Sequence, residues 1–119
     1  MLDTSPLTAA VERLADRLRA TPQSRLQRGA AARGLELARE LSVRAQRLEG
    51  PGQARGAAPA RVMPDAGVFA VGDQVAVAGT DLAEALRAAG AHDGEQAPSE
   101  VLDEAVRLVE RADEDVRAV

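Results

Sequence analysis

One apolar stripe limits this chain more than any other feature. Leu26, Ala30, Gly34, Leu37, Leu41, Ala45 and Leu48 advance by four, four, three, four, four and three positions, a recurrence that keeps side chains on one side of a helix. Thr21-Pro22 stands before the stripe, pairing a capping hydroxyl with a proline placed where its missing N–H costs nothing. Gly50-Pro51 stands after it, with glycine suited to a left-handed cap and proline unable to continue. The spacing predicts a helix over residues 22–49, about 42 Å long at 1.5 Å per residue. Gly29 and Gly34 each weaken that helix by roughly 1 kcal/mol relative to Ala, so a kink or break near Gly34 is the alternative to a continuous rod.

Three shorter elements flank the stripe. Ser5-Pro6 starts a helix whose Leu7, Val11, Leu14 and Leu18 face one way. Asp81, with Glu84 three positions on, starts another that carries Leu82 and Leu86 and ends at Gly90. Pro98 opens a last helix with a wide apolar face from Val101 to Val116, and Asp113 to Arg117 is spaced there as a surface ion pair. Between the second and third helices, residues 68–77 differ in texture: β-branched side chains gather around Gly72-Asp73 and suggest a β-hairpin. A two-residue turn puts Val68, Ala70, Val75 and Val77 on one face; a three-residue turn puts Phe69, Val71, Val75 and Val77 there. The expected fold is mainly α, with four helices, one of them long and central, and a single hairpin that sets it at the margin of α+β.

Domain organisation follows from the length. A chain of 119 residues suits one domain. Residues 50–60 hold five Gly or Pro in eleven positions and no large apolar side chain, and so are expected to be a flexible linker. It joins an N-terminal helical hairpin (5–49) to a part made of the β-hairpin and two helices (62–117).

The core is expected to be thin. Of the apolar residues, 26 are Ala, and the 13 Leu, 12 Val and one Phe make only about 22% of the chain, near the roughly 20% below which chains tend to disorder. Methyl-sized side chains bury little area to offset backbone ordering, so further burial against a second copy or another protein is expected. Charge is divided unevenly. Residues 1–61 carry eleven Arg against six acids, and residues 62–119 carry four Arg against thirteen, so the halves attract each other within a chain or between chains. All fifteen basic residues are Arg, a usage that fits the coding bias of a GC-rich bacterium and carries no mechanism.

No catalytic, cofactor or metal constellation is read from the chain. Absence of Cys removes thiolate chemistry and the commonest zinc ligands together. His92 stands alone beside Asp93 and Gly94 with no nucleophile to pair with, and is read as an ordinary loop histidine. The carboxylates of Glu110 to Asp115 lack the alternating ligands and central Gly of a calcium loop. No basic stretch followed by a long apolar one opens the chain, and no window approaches the roughly 20 apolar residues of a membrane span. A cytoplasmic protein is expected.

Two functions fit. The first is a non-enzymatic protein-interaction or scaffold module that self-associates, as a homodimer, through the long helix. Its candidate interface is Leu26, Ala30, Gly34, Leu37, Leu41 and Leu48, with Phe69 from the hairpin. The alternative is a DNA- or RNA-associated regulator, in which Arg25, Arg28, Arg39 and Arg47 line the opposite face as a phosphate-contacting ridge, interrupted by Glu36 and Glu40.

Overall fold

The computed structural model describes residues 2–49, 62–89 and 97–119, and among them every regular element is helical. Helix α1 spans Ser5–Ala20, the single turn α2 spans Gln23–Arg25, and a π-helical turn at Leu26–Ala30 leads into α3, Ala31–Glu49. A 3-10 turn at Val68–Ala70 runs directly into α4, Val71–Ala89, and α5 occupies Pro98–Ala118. The linker 50–60 and His92 lie outside the described residues.

The starts and stops at proline behave as their chemistry dictates. Pro6 and Pro98 sit in the first turns of α1 and α5. At the start of α1, however, the capping acceptor is Asp3, whose Oδ1 takes the Ser5 N–H at 2.9 Å. Thr21 ends α1 with extended backbone, and its buried hydroxyl donates to the Arg17 carbonyl at 2.6 Å.

The β-hairpin, and with it the α+β margin, is overturned. Residues 68–77 are helical throughout, and Asp81 stands in mid-helix on an exposed face rather than at a start. The reason is burial. Val71, Val75, Ala78, Leu82 and Leu86 fall at helical spacing and are all buried, worth about 1.5–3 kcal/mol for each large side chain, whereas β-propensity differences total roughly 1 kcal/mol. Gly72, which looked like a turn residue, is a packing residue, as is Gly79 further along α4. A Cβ at Gly72 would stand 3.0 Å from the Ala15 carbonyl oxygen, and one at Gly79 would stand 2.5 Å from a Val11 methyl.

Four long helices share one core. Helix α4 packs on α3 and α1, while α5 packs on the same two helices and meets α4 only lightly. The core holds Leu7, Leu14, Leu18, Leu37, Leu41, Leu82 and Leu86, all at most 1% exposed, together with Val75, Val109 and Val116. Among the described residues, eleven of its 26 buried apolar residues are Ala. Small side chains let helix axes approach, so the scarcity of large apolar groups is met by close contact and dispersion rather than by volume. No described helix is long and apolar enough to cross a membrane.

The long helix bends, and at Gly29 rather than near Gly34. Gly29 has φ +149°, a value that side chains other than glycine rarely adopt. The Ala31 N–H bonds back five residues, to the Leu26 carbonyl, which marks the π turn. Gly34 is regular α-helix, pressed so close to its neighbours that a Cβ there would lie 2.8 Å from a Val71 methyl and 3.0 Å from Leu18.

Candidate functional site

The expected interface residues divide into two groups. Leu26, Ala30, Gly34, Leu37 and Leu41 are buried in the chain's own core. Leu48 is half-buried and Phe69, the one aromatic side chain, is 72% exposed. At Gly34 the close neighbours are Leu18 of α1 and Val71 of α4 of the same chain, and Ala30 is fully buried. While this fold holds, most of the stripe is out of a partner's reach.

What stays open lies beside the bend. A shallow groove of about 260 Å³ has one wall built from Leu26, Gln27, Ala31, Ala32 and Leu35, which straddle Gly29, and another from Asp65, Gly67, Val68, Val71 and Gln74. Its floor is apolar and its rim carries two amides and one carboxylate. Phe69 is exposed and follows directly in the chain on Val68, one of the residues that line this groove.

The segment leading to Phe69 is tied down by side chains. Arg39 Nε donates to the Met63 carbonyl at 2.8 Å from α3, and Gln74 Nε2 donates to the Pro64 carbonyl at 2.7 Å from α4. Asp65 Oδ1 accepts the Gly67 N–H at 2.9 Å. Gly67 then turns the chain at φ +96°, with open space where a Cβ would stand, and the 3-10 turn closes through Ala70 N–H to the Gly67 carbonyl. Each tie satisfies a backbone group that the irregular segment leaves free. Phe69 is thereby presented from an ordered stretch.

The Arg ridge does not assemble on one straight helix, because Arg25 and Arg28 precede the bend while Arg39 and Arg47 follow it. Arg25 donates to the carbonyls of Val116, Arg117 and Val119 at 2.9–3.3 Å, and Arg39 is held by Met63. Arg28 and Arg47 are exposed.

Attraction between the two halves is realised inside the chain. Arg17 pairs with Asp113 at 2.6 Å, Arg19 with Asp73 at 2.7 Å, and Arg33 with Asp115 and Arg44 with Glu104 at 2.8 Å. Asp113 also reaches Arg117 at 3.5 Å. All are partly solvated, worth about 0–1 kcal/mol each, so they set which helices meet more than how firmly. Among the described residues no cluster of acids or His has the makings of a metal site.

Leu35, Val68 and Gln74 escaped the sequence reading. Leu35 carries the one signal that could have found it, a large apolar residue standing off the stripe. Val68 and Gln74 were hidden by the hairpin. Compared with protein-family models, with curated proteins and with solved structures, the chain matches none of them.

Proposed function

We propose that this chain is a small non-enzymatic protein-interaction module that pairs with a second copy of itself, each copy inserting Phe69 into the other's groove between Leu26, Leu35 and Val68. The observation that carries this reading is the exposure of Phe69. A chain so poor in large apolar groups leaves its one aromatic residue 72% exposed on a tethered turn, forgoing a good part of the 1.5–3 kcal/mol that burial of such a side chain contributes. Single exposed apolar residues are ordinary. Here the aromatic knob follows directly in the chain on a residue that lines a largely apolar groove, and a surface carrying both knob and groove is self-complementary, as a two-fold interface requires. Buried aromatic anchors are the groups that dominate such interfaces.

Sedimentation velocity across micromolar concentrations tests the reading. The native chain should sediment as a dimer, and Phe69→Ser should shift it to monomer with unchanged helicity, since the substituted side chain touches little within its own fold. A native chain that stays monomeric across the whole concentration range refutes it.

A further inference from the structure

The bend at Gly29 is held from outside. Both helices that meet there are bonded to the last turn of α5: Arg25, before the bend, donates to the Val116, Arg117 and Val119 carbonyls, and Arg33, after it, pairs with Asp115 at 2.8 Å. Val119 completes the clasp, its methyl groups lying 3.9 and 4.0 Å from where a Gly29 Cβ would be. These carbonyls lie at the C-terminal end of α5, where the Val116 carbonyl also accepts the Val119 N–H at 3.4 Å, and a guanidinium is well matched to such a helix end in charge and geometry.

The apolar spacing of the local sequence is also compatible with a straight helix. Leu26, Ala30, Gly34 and Leu37 keep the phase of one uninterrupted helix, and the bend replaces a regular i to i−4 bond with the five-residue one from Ala31 to Leu26. A straight form of the same helix would forgo its contacts with the end of α5, which therefore favours the bent form. The groove depends on the outcome, because its α3-side wall takes Leu26 and Gln27 from before Gly29, and Ala31, Ala32 and Leu35 from after it.

We propose that Gly29 is a hinge and the last turn of α5 its strap: with Arg25 clasped, the helix is bent and the groove is shaped; with Arg25 released, residues 23–49 straighten and the groove loses a wall. Anything that binds or displaces the end of α5 then controls the groove. Only this last consequence rests on the docking role given to the groove above; the hinge itself is a property of the single chain.

The experiment uses paired spin labels on cysteines introduced at Ser24 and Arg47, two exposed positions in a chain with no Cys of its own, diluted into unlabelled protein so that only distances within one chain are read. In a straight helix their Cα atoms stand about 35 Å apart, from 23 steps of 1.5 Å. The native chain is expected to show one shorter distance. Arg25→Gln, Val119→Ser and Gly29→Ala should each add a longer component close to the straight-helix value, the last because Ala disfavours φ +149°. Native distances in all three variants at native helicity overturn the hinge. Complete unfolding on Arg25→Gln also overturns it, since the clasp would then hold the whole fold and not a bend. Because the readout needs no second copy, a monomeric chain with a movable hinge and a dimer with a rigid one fail different proposals.

Discussion

Gly79 of α4 sits against Val11 of α1 so closely that a Cβ on the glycine would stand 2.5 and 2.7 Å from the two valine methyl groups. Val11 is β-branched and stiff at χ1, so it cannot swing aside. The same seam continues at Gly72, where the obstacle includes the Ala15 carbonyl. Helix α4 therefore meets α1 at a separation that only glycine permits.

Gly79→Ala should accordingly destabilise the fold although Ala is the better helix former. The propensity gain is about 1 kcal/mol and the overpacking cost roughly 1–3 kcal/mol, so thermal unfolding should drop by a few degrees. Adding Val11→Ala should return part of the loss. A Gly79→Ala protein more stable than native means that α1 and α4 are not in this contact.

Leu37→Ala measures how far the core depends on its few large side chains. Leu37 is fully buried on α3, and such truncations cost about 2–5 kcal/mol. In urea the midpoint should fall accordingly, whereas Leu35→Ala on the groove rim should cost much less. Equal losses at the two positions contradict the placement of the stripe inside the chain.

Asp3 makes a pH prediction of definite sign. The hydrogen bonds it accepts from Ser5, through the side chain first and then the backbone N–H, hold its carboxyl below the ordinary 3.8. A folded value depressed below the unfolded one contributes stability above the unfolded value, lost as pH falls through the folded value. The group is fully exposed, so the readout is its own titration: NMR of the Asp3 carboxyl should give a midpoint below 3.8, returning toward it on urea unfolding. An unshifted midpoint in the folded protein removes the cap.

Arg39→Ala tests the tether under Phe69. It frees the Met63 carbonyl and should raise hydrogen exchange at Gly67 and Ala70 by several-fold while leaving α5 protected. If the docking role holds, dimer dissociation should quicken as well. Unchanged exchange at both amides means that Phe69 is ordered without Arg39.

How much of this was legible follows from the range of the interactions. Helices α1 and α5 were readable because proline, a hydroxyl or carboxylate nearby and four-three spacing act within a few residues. Helix α4 was misread because Val68 to Val77 carries a local preference that opposes its final state, and the packing that outweighs it comes from residues distant in sequence, among them Val11 and Ala15 of α1 and Gly34 of α3. Gly29 and Gly34 looked alike in sequence. One proved to be a bend because the end of α5 arrives beside it, the other a close approach because Val71 does.

The chain by itself determined that it would be mainly helical, where α1 and α5 begin, and that its Arg-rich and acid-rich halves would attract, since those depend on side-chain chemistry and short-range spacing. Tertiary structure alone decided that the stripe from Leu26 to Leu41 is spent internally, that the long helix bends at Gly29, and that Phe69 is left outside. Each of these turns on which helix lies across from which, and an apolar face is satisfied equally by its own chain or by another.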